Sequence, residues 1–222
     1  EDAARLLRVE LVLVEIERAF DATLRAYDAG FDFVRSARLP GGDYARRVIV
    51  DPESPRVLHV ATHGFFLPSS SSGSGALGNP LLRSGILLSG ANRLASDKDD
   101  GVLTALEASG LDLGGTHLVV LSACETGVGE VKTGDGVYGL RRALVLAGSE
   151  SQVMSLWKVS DRATRELMVA YYRGLLAGEG RTEALRRVQL RMLADPRTRH
   201  PFYWASFIQS GAWSPLTTSE AH

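Results

Sequence analysis

Residues 117–122 read His-Leu-Val-Val-Leu-Ser and run straight into Ala123-Cys124-Glu125-Thr126-Gly127. The run is apolar without a break from Leu118 to Leu121. An unbroken apolar run of this length marks a strand covered on both faces, as parallel strands in α/β sheets are. A second run of the same kind, Arg56-Val57-Leu58-His59-Val60-Ala61, ends at Thr62-His63-Gly64. Open α/β sheets place their sites beyond the carboxyl ends of their strands. If the two strands are neighbours, His63 and Cys124 emerge on one edge, which is the geometry a thiol–imidazole pair requires.

Working outward, strands and helices alternate. Helices are expected over Asp135–Ala147, Asp161–Leu176 and Thr182–Leu193, with a strand at Gln152–Leu156 between the first two. Leu103–Ser109 reads as a short helix and Ile86-Leu87-Leu88 as a short strand. Tyr203–Ile208 reads as a last strand or a packed terminal segment. Residues 3–28 read as one helix, because Leu6, Leu7, Leu11, Val14, Ala19 and Leu24 fall near helical spacing. Pro40-Gly41-Gly42-Asp43 breaks the chain before a β-type run at 47–50. Residues 68–79 are rich in Ser and Gly and are expected to form a mobile loop, as are the charged residues 92–101. The first of these loops follows His63 closely enough to order on activation or be cut during maturation; its other reading is a plain connection. The pattern is an α/β sandwich with a mostly parallel sheet and helices on both faces. It divides into 1–55, a helix and linker closing a longer upstream region, 56–213, the main domain, and 214–222, a flexible polar tail.

Composition narrows the function. The chain has 222 residues, 45% of them hydrophobic, and a net charge of −1, so bulk charge favours no polyanion. Arginine outnumbers lysine 22 to 3, read here as genome composition, and no block of arginines resembles a nucleic-acid arm. Cys124 is the only cysteine, which rules out a disulfide within the chain and a Cys-rich metal site. No apolar run is long enough to span a bilayer. A reduced, cytoplasmic setting fits, with no membrane and no direct nucleic-acid partner. A phosphate-binding loop is absent: Gly127-Val128-Gly129 follows a strand without a GxGxxG spacing or a Gly-Lys-Ser/Thr.

A free thiol has a pKa of about 8.5 and is mostly protonated at neutral pH. A neighbouring imidazole raises the thiolate fraction, protonates the leaving amine, or both. The competing reading of Cys124 is a small core residue, the usual fate of a free cysteine. Its context argues otherwise: Cys124 is placed just past its strand, and Gly127, Gly129, Gly134 and Gly136 follow. The N–H groups of Gly64 and Cys124 are candidate oxyanion-hole donors. Among the other histidines, His59 reads as a satisfied core residue, His117 as structural, and His200 as part of a packing corner.

Several separated stretches resemble the CHAT family, the caspase-like domains associated with tetratricopeptide repeats. They are His-Val-Ala-Thr-His-Gly-Phe-Phe at 59–66, Leu-Ser-Ala-Cys-Glu-Thr-Gly at 121–127, Gly-Leu-Arg-Arg-Ala at 139–143, Ser-Leu-Trp-Lys-Val-Ser-Asp at 155–161, Glu-Ala-Leu-Arg at 183–186 and His-Pro-Phe-Tyr-Trp-Ala at 200–205. The resemblance covers residues 57–213 in order and is weak before residue 56. It implies a caspase-like three-layer sandwich related to separase and metacaspases. His63 falls on the family's catalytic histidine, Cys124 on its nucleophile and Gly64 on its oxyanion-hole glycine. Asp161 falls on an aspartate that lies in the arginine pocket of separase-like relatives. Its other reading is a helix cap, and Asp135 is a second residue with the same two readings. Glu125 reads as solvated, and Phe65, Phe66, Leu81 and Trp157 line either the cleft or the core.

The function implied is a cysteine endopeptidase that needs no cofactor or metal and cuts a specific protein substrate. An upstream repeat or sensor module would control it in a regulated bacterial pathway, such as defence through a gasdermin-type or CRISPR-linked substrate. The alternative is a catalytically inactive CHAT domain acting as an interaction module.

Overall fold

A computed structural model describes residues 9–13, 33–35, 56–67, 79–87, 102–124, 135–157 and 160–216. At 9–13, 33–35, 63, 66, 80, 123–124 and 135–138 it describes the backbone alone. The expected run at 47–50, the loop at 68–78, the charged loop at 92–101, the glycines at 127, 129 and 134, Glu125, and 217–222 lie outside the described residues.

Among the described residues one sheet holds eight strands: β1 (Val9–Leu13), β2 (Phe33–Arg35), β3 (Val57–Phe66), β4 (Ser84–Leu87), β5 (Val102–Thr104), β6 (Leu118–Cys124), β7 (Ser151–Ser155) and β8 (Phe207–Gly211). Its main order is β2-β1-β3-β6-β7-β8. The pairs β2–β1, β1–β3, β3–β6 and β6–β7 are parallel, and β8 closes one edge antiparallel to β7. The β4–β5 hairpin branches off the far end of β3. The helices are α1 (Ala105–Ala108), α2 (Asp135–Leu146), α3 (Asp161–Leu176) and α4 (Arg181–Ala194).

The unbroken apolar run of β6 and the apolar run of β3, interrupted only by His59 as far as Ala61, are explained by two cores, one on each face. Alternate residues Val57, Leu118, Val120 and Val153 pack with α3 and α4, against Leu167, Tyr171, Leu185 and Val188. The intervening residues Leu58, Val60, Val119, Leu121 and Met154 pack with α1 and α2, against Leu140, Ala143 and Leu144. Each such side chain removed from water contributes about 1.5–3 kcal/mol. The result is a three-layer sandwich with a mostly parallel sheet, as expected. The helix α2 is stopped at Gly148, whose φ of 103° lies in the left-handed region; a Cβ there would sit 3.0 Å from the backbone of Gly114.

Four expectations are corrected. The single helix over 3–28 is broken by β1, which pairs in register with Val57–Ala61 of β3. Val9-Glu10-Leu11-Val12-Leu13 is aliphatic enough for either period, and an open parallel edge on β3 decides it for strand. Cys124 is the last residue of β6 rather than lying just past a strand that ends at Ser122, because β3 runs on past Ala61 and gives it a partner. The start of the expected helix at 103–109 is strand β5, and the helix proper is held at Thr104 by a reciprocal capping box with Glu107. The tail is anchored at its root: the Ser214 carbonyl accepts from the Arg181 side chain, and Leu216 packs on the α3–α4 core.

Candidate active site

The parallel strands β3 and β6 are adjacent, and their ladder runs from Val57↔Leu118 to His63↔Cys124. The last register pair is therefore the histidine and the cysteine singled out by sequence. Paired strands lie about 4.8 Å apart, so the two backbones stand side by side at the carboxyl edge. The chain gets them there by equal lengths of apolar strand. Val57 and Leu118 start in register, and six residues later each strand reaches its reactive residue.

Strand β3 has two edges, and His63 uses both. It pairs with Cys124 on one side and with Leu87 of β4 on the other. Past Ala61, β4 thus takes over the edge that β1 held. The Leu67 amide donates to the Arg83 carbonyl at 2.7 Å, which fixes the alternation of the antiparallel ladder. Residues 63, 65 and 67 turn their amides toward β4, and Gly64 turns its amide toward the β6 edge. Gly64 is thus the last donor that β3 presents beside Cys124. Thr62 adds a side-chain bond from its hydroxyl to the Leu87 carbonyl, tying β4 to β3 next to His63.

Asp161 opens α3 six residues after β7 ends, so it follows the same sheet edge. Its side chain is exposed, and Ser160 holds the N-cap position, so Asp161 is the first helical residue rather than the cap. A carboxylate there still meets the positive end of the helix dipole. Asp135 opens α2 at the same edge, and its side chain lies outside the described residues, as does that of Phe66. Leu81 packs on the α1–α2 core and Trp157 on the α3–α4 core, where its indole N–H donates to the Phe202 carbonyl. His200 caps the turn Pro201–Tyr203 by accepting from the Phe202 amide, which is the corner expected of it.

His59 departs from expectation. It lies four residues before His63 in β3, wholly buried, and its Nδ1 is 2.9 Å from the Tyr172 hydroxyl of α3. Its Nε2 is buried with no partner among the described residues. Desolvation lowers its pKa to about 4, so the ring is neutral at physiological pH. Sequence reasoning took this ring as satisfied; one nitrogen is not. Sequence reasoning also missed Arg181, which is buried at the opposite edge. Its guanidinium donates to the carbonyls of His117 (2.6 Å) and Ser214 (2.9 Å), to Ser151 Oγ (3.1 Å) and to Glu150 Oε2 (3.1 Å). Glu150 also contacts His117 Nδ1 at 2.9 Å. Partial burial works against the Glu150 carboxylate, but the bonds from His117 and Arg181 outweigh it and hold its pKa below the usual range. A lone arginine opening a helix reads as solvated, and nothing in its local sequence signals its burial, because its partners come from residues 30–64 positions away.

A parallel sheet with helices on both faces and a histidine–cysteine register pair at its carboxyl edge defines a caspase-like α/β domain. The chain belongs to the CHAT domain family, which matches it over residues 18–212. That span takes in β2 as well as everything from β3 to β8. Over 111 residues, half of this chain, it is 33% identical to Tetratricopeptide repeat protein 28 of Homo sapiens and 32% identical to the protein of the same name from Mus musculus. The chain covers 4% of the length of each of these relatives. No helix among the described residues is long and apolar enough to cross a membrane. Among the same residues, no three His, Cys, Asp or Glu side chains gather as a metal site would require.

Proposed function

We propose that this domain is a cysteine endopeptidase with Cys124 as nucleophile and His63 as its acid–base partner. The observation that carries the reading is the register pair His63↔Cys124 at the end of two adjacent parallel strands. The Cys124 thiolate attacks the scissile carbonyl, and the new C–S bond forms as the carbonyl oxygen takes up the negative charge. The N–H of Gly64, facing the β6 edge, and that of Cys124 stabilise this oxyanion; each such donor is worth about 2.7–4 kcal/mol. In the ladder the Gly64 amide can also reach the Cys124 carbonyl, so the substrate oxygen competes for it. His63 then protonates the leaving amine, and water assisted by His63 releases the acyl group from sulfur.

Asp161 and Asp135 are the proposed specificity residues, selecting a basic side chain on the acyl side of the cut. The substrate is a specific protein, cut in the cytoplasm under control of a repeat or sensor module in the parent chain. The repeat-named relatives support that last point. A bacterial defence setting belongs to the same proposal and rests on the family resemblance. No cofactor is required for the chemistry. The alternative is an interaction module without catalysis, and the same repeat-named relatives favour it.

Replacing Cys124 by Ala separates the two. Cleavage of the cognate protein is expected to fall by about 10³-fold or more with the melting temperature unchanged. Equal cleavage by wild type and variant removes the protease reading.

A further inference from the structure

A groove of about 970 Å³ runs along the outer side of α3 and α4, on the surface away from the sheet. Its walls carry Arg162, Arg165 and Arg173 from α3, Arg187 and Arg191 from α4, and Arg197 beyond α4. Positions 162, 165, 169 and 173 recur at helical spacing and form one stripe; 187 and 191 form the facing one. Val169 contributes apolar surface between the walls, and the buried Ala170 and Met192 form the floor. Three carboxylates line the groove too, and each answers one arginine: Glu179 with Arg187 at 2.8 Å, Asp195 with Arg197 at 2.8 Å, and Glu166 with Arg162 at 4.0 Å. Arg165, Arg173 and Arg191 have no carboxylate partner among the described residues. A chain with a net charge of −1 thus gathers three uncompensated guanidinium groups in one concavity.

We propose that this groove docks a short acidic segment of a partner protein, whose carboxylates meet Arg165, Arg173 and Arg191. Residues 162–173 of α3 span about 16 Å, the reach of an extended segment of roughly five residues. Guanidinium groups recognise carboxylates bidentately, which suits a segment with acids at intervals and apolar side chains between them. A nucleic acid fits less well. The groove's own three carboxylates repel a continuous phosphate backbone, and among the described residues no aromatic ring lines it on which a base can stack. The groove's lining starts at Arg162, one residue into α3. The docking itself does not depend on catalysis.

The test uses a fluorescein-labelled heptapeptide of alternating Glu and Leu, titrated with the intact chain and read by fluorescence anisotropy. Saturable binding is expected, weakening steadily as salt is raised. The combined variant Arg165→Gln, Arg173→Gln, Arg191→Gln is expected to bind about tenfold or more weakly. A double variant outside the groove, Arg142→Gln with Arg186→Gln, is expected to bind as wild type does. The single variant Arg191→Gln, at an exposed position, is expected to lose about two- to threefold and keeps the test open if the triple variant folds poorly. Equal affinity of wild type and the groove variants overturns the proposal, as does absence of binding to wild type. Tighter binding of a single-stranded oligonucleotide of equal charge overturns the choice of partner.

Discussion

At the amino edge of the sheet, where β6 and β7 begin, one buried guanidinium reaches four residues on three different segments. At the carboxyl edge, where β3 and β6 end, the ladder closes on His63 and Cys124. The first edge spends its polar groups on one another: Arg181 satisfies the His117 carbonyl, and Ser151, Glu150 and Ser214 complete the set. At the second edge, two residue types able to do chemistry stand as backbone neighbours, with the Gly64 amide turned the same way. One edge ties three segments together through Arg181, and the other carries the proposed catalytic pair. Substitutions at the two edges should therefore separate stability from activity.

Arg181→Ala tests the stabilising edge and should have the largest effect on folding. Loss of several charge-assisted hydrogen bonds and a buried side chain is expected to cost roughly 3 kcal/mol. In a domain of this size that lowers the melting temperature by about 6–12 °C. Activity per folded molecule should be unchanged, and calorimetry paired with active-site titration reads both. A variant as stable as wild type would show that the amino edge is not where stability is held.

Next comes His59, on the face between the sheet and α3. Its folded pKa, about 4, lies below the unfolded value near 6.5. The unfolded chain therefore binds the extra proton first. The stability associated with the neutral ring is fully present above pH 6.5 and is lost as pH falls toward 4. The loss is on the order of 3 kcal/mol at most. Denaturant unfolding from pH 7 to pH 4 should show it, and His59→Gln, which cannot take up a proton there, should flatten that part of the curve. An unchanged slope in the variant would place the acid sensitivity elsewhere.

Asp161→Ala probes the reactive edge with a smaller effect. The side chain is exposed, so stability should move by less than about 0.5 kcal/mol. Cleavage after arginine should drop by about tenfold relative to cleavage after an uncharged residue, read from a peptide library. Unchanged preference takes Asp161 out of the pocket.

How much of this was legible in the sequence differed by edge and by element. β6, α3 and α4 read correctly because their apolar patterns are long and unambiguous; Asp161–Leu176 matches the observed helix at both ends. The positions of His63 and Cys124 were legible because each closes a continuous apolar run, although both runs extend further than their apolar residues alone indicate. β1 was misread because five aliphatic-rich residues satisfy either period, and only the free edge of β3 favours a strand. β4 was expected as a short strand at 86–88, and the structure places it at Ser84–Leu87; β5 escaped because a three-residue strand carries little pattern of its own. Arg181 and the outer groove were invisible for a different reason. Their partners come from segments 30–64 residues away or from two separate helices, and composition had reduced all the arginines to one bulk count.

The central claim is that His63 and Cys124 act as a pair, and the chain's single cysteine makes it testable without knowing the substrate. The measurement is the rate of Cys124 alkylation by iodoacetamide between pH 5 and pH 9, followed by intact mass, for the folded wild type and for His63→Ala. Faster alkylation of the wild type is expected at neutral pH, with the half-point of its profile moving upward when the imidazole is removed. Superimposable profiles for the two proteins would contradict it.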